Sequence, residues 1–111
     1  MTIKMLTPDF AVSPQITADD ISAIAAEGFK SIICNRPNEE EAGQPQFEDV
    51  AAAAKAAGIE IRYLPFTSGA MSAQDEEEFA DLMVELPRPI LAYCRSGARS
   101  SNLFLSYQAK V

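Results

Sequence analysis

The residue types best suited to chemistry lie in one short loop, Cys94-Arg95-Ser96-Gly97-Ala98-Arg99-Ser100. A cysteine thiolate is a strong nucleophile, and the guanidinium groups of Arg95 and Arg99 bind anions. The loop follows an apolar run of strand length and precedes a segment whose apolar residues repeat at helical spacing. In such a turn, the unpaired N–H groups and the positive end of the helix dipole form an anion cradle. The loop is therefore predicted to bind an anionic substrate, with Cys94 and Arg99 as catalytic residues.

Cys94 must be activated without imidazole, because the sequence contains no histidine. This absence excludes Cys-His and Ser-His-Asp catalysis and the histidine zinc motifs. The two cysteines are too few for a disulfide framework, and no metal or cofactor is predicted. Cysteines at helix N-termini have pKa values lowered to about 3.5–7.5. The loop is therefore expected to ionise Cys94 by itself.

The other loop residues also have structural interpretations. Arg99 could form a surface ion pair, and Gly97 could serve only the turn. Ser96 and Ser100 could cap the following helix. The functional interpretation is preferred for Cys94, because of its place before this loop at a strand–helix junction, and for Arg99. Gly97 can serve both the turn and the site, and for Ser100 both interpretations stay open.

Asn35 and Arg36 are secondary candidates because Asn35 ends, and Arg36 directly follows, an apolar run, Phe29–Asn35, that is predicted to be a strand. In open α/β sheets, ligands bind at the carboxyl ends of strands, where Cys94 also lies. Arg36 could equally pair with acids in Glu39–Glu41.

Asp75 and Cys34 are the remaining secondary candidates. Asp75 is a candidate general acid, but it also fits the last position of a helix-capping box that begins at Ser72. Cys34 fits a core position, and it could act as a resolving thiol if its strand lies beside that of Cys94.

The composition favours a single domain over residues 1–111, with 48% hydrophobic residues available for a core. The formal net charge of −7 argues against nucleic acids and anionic membranes as partners. No apolar run is long enough to span a bilayer, and the N-terminus lacks the pattern of a signal peptide. A cytoplasmic location is therefore expected.

Strand and helix patterns alternate along the chain, which predicts an α/β fold. Strands are predicted at Ile3–Leu6 or Phe10–Ser13, and at Phe29–Asn35, Ile59–Phe66 and Ile90–Tyr93. Helices are predicted from Ile21 to Gly28, over Phe47–Ala57, from the cap at Ser72 to Pro87, and over Ser101–Lys110.

The loop itself is similar to those of two families of cysteine enzymes. Cysteine-dependent phosphatases use Cys-x5-Arg, whereas rhodanese sulfurtransferases use a loop one residue shorter, often C-R-x-G-x-R. Four residues separate Cys94 from Arg99, and Ser100 stands where a phosphatase has its Arg. Tyr93 precedes the cysteine where many phosphatases have His. The loop length and composition therefore resemble rhodanese.

Nearly the whole chain resembles the phosphatase-like domain of the beta-lactamase-hydrolase-like proteins, a domain also found joined to persulfide dioxygenases. The resemblance implies a fold like the dual-specificity phosphatases, with a central, mainly parallel sheet flanked by helices. The sequence departs at Asn38-Glu39, where this family more often has Asp-Gly, so an acid role at position 38 is in doubt. The segments that carry the resemblance are Ser13–Thr17, Gly28–Ile33, Asn35–Pro37, Ala56–Gly58, Tyr63–Pro65 and Ala92–Ser100.

Three functions are compatible with these observations. The preferred hypothesis is sulfur transfer, in which Cys94 takes sulfane sulfur from thiosulfate or a persulfide and passes it to a thiol acceptor. Neither step needs a protein acid, and a persulfide dioxygenase is a candidate partner. The alternative is phosphomonoester hydrolysis through a phosphocysteine, which normally requires a general acid. The third is a non-catalytic module that binds an anion or a persulfide.

Overall fold

The fold is an α/β domain, described by a computed structural model for residues 2–110. The strands are β1 (Lys4–Thr7), β2 (Phe10–Ser13), β3 (Ser31–Cys34), β4 (Glu60–Tyr63) and β5 (Ile90–Tyr93). The helices are α1 (Ile21–Ala26), α2 (Phe47–Ala56), α3 (Ala73–Glu85) and α4 (Ala98–Lys110), and a 3₁₀ turn at Ala18–Asp20 precedes α1. Both proposed N-terminal strands are present.

The five strands form one sheet in the order β1-β2-β5-β3-β4. β1 is antiparallel to β2, and the other neighbouring strands are parallel. All residues of β2, β3 and β5 are buried, whereas the edge strands β1 and β4 are partly exposed. Complete burial of the central strands explains their unbroken apolar runs. The predicted central, mainly parallel sheet is confirmed.

Helices cover both faces of the sheet. On one face, Ile24 of α1 and Val50 of α2 pack in the same core cluster as Leu91 of β5. On the other face, Phe79 of α3 and Phe104 of α4 pack with strand residues of β2 and β5. Among residues 2–110, no helix is long and apolar enough to cross a membrane.

α4 begins at Ala98, three residues before the predicted start at Ser101. Gly97 adopts φ +95°, and the Ser96 hydroxyl accepts a hydrogen bond from the Ala98 N–H at 3.3 Å. The first helical turn therefore belongs to the predicted loop. This correction brings more helix N–H groups to the cysteine.

The departure at Asn38-Glu39 has a structural consequence. Glu39 has φ +63°, a left-handed conformation that favours glycine. Asn38 acts as a structural residue, since its Oδ1 accepts the Phe47 N–H at the start of α2 at 2.7 Å.

Glu39→Gly is therefore expected to raise the free energy of unfolding by about 0.5–1 kcal/mol, because relief of strain exceeds the added entropy of the unfolded chain. Urea denaturation measures the change. Glu39→Ala is the matched control, since it removes the same carboxylate but keeps the Cβ atom. An equal gain for both variants would show that charge, not backbone strain, is responsible.

Candidate active site

The candidate site lies at the carboxyl end of the sheet, where β5 runs between β2 and β3. Its loop is fixed to the end of β2: the Cys94 N–H donates to the Ser13 carbonyl at 3.4 Å, and the Gln15 N–H donates to the Arg95 carbonyl at 3.3 Å. A Cβ atom at Gly97 would lie 3.4 Å from the Ser13 backbone, in addition to straining a positive φ. Since 3.4 Å is an ordinary van der Waals distance, the positive φ is the main reason that this position favours glycine.

The Cys94 sulfur is buried inside the turn and accepts the Gly97 N–H at 3.0 Å. Burial acts to raise the pKa of this thiol, but backbone N–H groups of the turn and of the first turn of α4 act against it. The contributing N–H groups are those of Ser100, Gly97, Ser96 and Arg99, and together they lower the Cys94 pKa below its ordinary value. The cradle predicted from the sequence therefore stabilises a thiolate without a histidine.

Alkylation by iodoacetamide is expected to show this lowered pKa directly. Since the pKa of Cys94 is lowered, the thiolate persists as the pH falls, and the midpoint of the rate profile should lie below about 8.5, the value for a free cysteine. Mass spectrometry of the labelled peptide follows Cys94 separately from Cys34, whose pKa is raised by burial. A Cys94 midpoint at or above the free value would contradict the cradle.

Arg99 is held by a bidentate ion pair with Glu40. Its Nη1 and Nη2 donate to Glu40 Oε2 and Oε1 at 2.7 and 2.9 Å, and Nη1 also donates to the Phe66 carbonyl at 3.1 Å. The Glu40 carboxylate first, and the nearby Cys94 sulfur to a smaller extent, raise the Arg99 pKa. Arg99 therefore forms an ion pair, as its structural interpretation allowed, but its guanidinium is buried and does not lie at the surface.

Glu40 is the site residue that the sequence analysis did not single out. Hydrogen bonding from Arg99 is the main cause that lowers its pKa; burial acts in the opposite direction, and Arg36 adds to the lowering. Glu40 is therefore ionised and cannot donate a proton in this arrangement. The three glutamates at 39–41, which begin three residues after Arg36, were the available signal, but they did not show which acid would turn inward.

Arg36 and Asn35 both lie at the site, where they support its walls. Arg36 is 3% exposed, and its donors bind Glu40 Oε1 at 3.0 Å, Gln15 Oε1 at 3.1 Å and Glu41 Oε1 at 3.5 Å. The Asn35 amide accepts from the Ser100 hydroxyl at 2.8 Å and donates to a carbonyl of the segment after β4 at 2.9 Å. Ser100 therefore binds Asn35 through its side chain.

The other secondary candidates occupy structural positions. The Asp75 carboxylate accepts the Ser72 N–H at 2.9 Å, and the Asp75 N–H donates to the Ser72 hydroxyl at 3.1 Å, so Asp75 completes a capping box. Cys34 is buried and pairs with Tyr93 in the register of β3 and β5. Its strand is adjacent to that of Cys94, which meets the stated condition for a resolving thiol; the role itself stays a prediction.

A hollow of about 300 Å³ opens at the loop. It is lined by Arg36, Glu40, Ser68, Arg95, Ser96, Ala98 and Arg99. Three arginines and one ionised acid therefore surround a space suited to a small anion.

Residues 2–111 match the family model for the phosphatase-like domain of beta-lactamase hydrolase-like proteins. The chain belongs to this family. A beta-lactamase hydrolase-like protein of Agrobacterium fabrum is 36% identical over 81% of the chain, and one of Xylella fastidiosa is 30% identical over 94%. The chain spans 21% and 24% of the lengths of these two relatives.

Solved structures agree with the fold of this phosphatase-like domain. A protein of Neisseria meningitidis, provisionally described as a phosphatase, is 39% identical, covers 94% of this chain and 74% of its own, and has a TM-score of 0.86. The catalytic core of the Saccharomyces cerevisiae PP-IP phosphatase Siw14 has a TM-score of 0.66 at 17% identity, over 96% of this chain and 74% of its own. At that identity, the second likeness concerns the fold alone. The expected cysteine-phosphatase-like fold is therefore confirmed.

Proposed function

We propose that this phosphatase-like domain hydrolyses small phosphate monoesters through a phosphocysteine on Cys94. The observation that carries the proposal is the Cys94 sulfur, which accepts the Gly97 N–H at 3.0 Å at the start of α4, the helix whose first turn carries Arg99. Family membership favours this chemistry over sulfur transfer, which the sequence alone had preferred.

In the first step, the Cys94 thiolate attacks phosphorus, and the ester P–O bond breaks with its electron pair on the leaving oxygen. Loop N–H groups stabilise the charged oxygens of the transferred group, together with the Arg99 Nε–H, which is not one of the donors that bind Glu40 and Phe66. In the second step, water attacks the phosphocysteine, inorganic phosphate is released, and the thiolate is restored. A proton from water passes to solvent or to the departing phosphate.

The site restricts the leaving group. Within the described residues, the carboxylate that lines the hollow is that of Glu40, which is ionised and paired, and Asp75 is engaged in its capping box. A leaving group that departs without a proton, such as a phenolate, therefore suits the site better than an alkoxide. Substrates with acidic leaving groups are expected to react fastest.

Sulfur transfer is the second candidate, favoured by the short spacing from Cys94 to Arg99. Here the thiolate attacks the outer sulfur of a sulfane donor, the S–S bond breaks, and sulfite or a thiolate leaves unprotonated. An acceptor thiolate then attacks the terminal sulfur and restores Cys94. The same absence of a free acid suits this reaction, and a persulfide dioxygenase partner stays a prediction with it.

One pair of measurements separates the candidates. Wild type and Cys94→Ser are incubated with 4-nitrophenyl phosphate, and phosphate release is measured; in parallel, intact mass is recorded after incubation with thiosulfate. Cys94-dependent phosphate release is the expected result. A gain of about 32 Da on wild type alone, discharged by a thiol and without phosphate release, would assign sulfur transfer instead. Neither reaction, with phosphate still bound, would identify a binding module.

A further inference from the structure

Two adjacent carboxylates contact the arginines of the site with different strength. Glu40 is 25% exposed and makes short contacts of 2.7, 2.9 and 3.0 Å to Arg99 and Arg36. Glu41 is 54% exposed, and its contacts to Arg36 and Arg95 are 3.5 and 3.3 Å. Long contacts to an exposed carboxylate contribute little stability, because water competes for its oxygens. Glu40 is therefore fixed, whereas Glu41 can be exchanged at little cost.

Arg95 differs from the other two arginines of the hollow in its exposure. Its side chain is 66% exposed on the rim of the hollow, and Glu41 is its polar contact in the described part of the chain. Arg36 and Arg99 are 3% and 8% exposed and are bound by several acceptors. A group that displaced Glu41 would find a free guanidinium beside the reacting anion.

We propose that Arg95 is a second anion subsite, which the Glu41 carboxylate occupies when no substrate is bound. The inferred substrate class is a small phosphate ester with a second anionic group, of which a carboxylate is the simplest example. The inference rests on the proposed function for the first group, since the reacting phosphate is placed at Cys94.

A second negative charge on the ligand is repelled by the net negative charge of the protein. The chain has a net charge of −7, so an additional negative charge on a ligand is unfavourable unless a local cation receives it. Exchange of Glu41 for a ligand carboxylate keeps Arg95 paired and returns Glu41 to water. A preference for the doubly anionic ligand would therefore report a specific contact and not the general field of the protein.

The test compares binding of 4-carboxyphenyl phosphate with binding of the corresponding methyl ester, in which the carboxylate is neutralised and the phosphate is kept. Isothermal titration on the Cys94→Ser protein measures both affinities without turnover. We expect the carboxylate to bind about 3- to 10-fold more tightly, as for one charge-assisted contact. Arg95→Gln should bring the ratio of the two affinities, carboxylate over methyl ester, to about 1. Glu41→Gln should raise this ratio, because the carboxylate that competes for Arg95 is removed.

Arg62→Gln is the matched control, because Arg62 is also an exposed arginine paired with glutamates, Glu60 and Glu85, outside the hollow. It should keep the ratio of the parent protein. An unchanged ratio in Arg95→Gln, or no preference in the parent, would overturn the subsite, as would failure to bind either ligand. A preference that depends on Arg95, in a protein that releases no phosphate from either compound with Cys94 intact, would retain the subsite and reject the proposed hydrolysis.

Discussion

Cys94→Ser is expected to lower turnover at least about 10³-fold, since it removes the nucleophile. The effect should appear whether phosphate or sulfur is transferred, because both routes form their covalent adduct on this sulfur. The serine hydroxyl is a poor nucleophile in a site that has no histidine to take its proton. Phosphate release from 4-nitrophenyl phosphate and sulfur transfer from thiosulfate are both measured.

The control measurements for Cys94→Ser are its stability and its phosphate binding, which show whether the variant is folded. A serine oxygen can still accept the Gly97 N–H, and the loop anchors to Ser13 and Gln15 use backbone atoms. The urea midpoint and phosphate binding should therefore be retained. Full turnover by a well-folded Cys94→Ser protein would overturn the mechanism.

The sequence predicted the central elements of the fold because their signals are local. Buried runs such as Ile90–Tyr93 and the capping box at Ser72 identify strands and helices without long-range information. The order of the strands in the sheet could not be predicted from local signals, because the alternation of strands and helices along the chain does not show which strands are neighbours. The adjacency of β3 and β5, which brings Cys34 to the strand of Cys94, required the structure.

Some residues of the candidate site were predicted from the sequence, and others were not. Cys94 and Arg99 were identified because a strand-to-helix turn with this composition indicates an anion cradle. Glu40 was missed because the sequence alone does not distinguish three consecutive glutamates from one another. The left-handed turn at Glu39 distinguishes them in space: Glu40 contacts Arg99, and Glu41 contacts Arg95.

The second large effect is expected from Arg99→Ala. Loss of one donor to a developing oxyanion lowers kcat by about 10²–10³-fold in comparable sites. Arg99→Lys should recover only part of this loss, because a single ammonium group cannot maintain two contacts to Glu40 and also orient toward the substrate. Steady-state kinetics on 4-nitrophenyl phosphate, with inhibition by inorganic phosphate, measures both catalysis and anion binding.

Arg36→Ala is the informative comparison, because Arg36 lies at the same hollow and contacts the same Glu40. Its donors are occupied by Glu40, Gln15 and Glu41, so its main contribution is to hold the segment that carries those acids. We expect Arg36→Ala to lower the free energy of unfolding by about 1.5–3 kcal/mol, through lost hydrogen bonds to charged groups. Its inhibition constant for phosphate should change less than that of Arg99→Ala. The reverse order would place the anion on Arg36 and move the reacting group away from the Cys94–Arg99 pair.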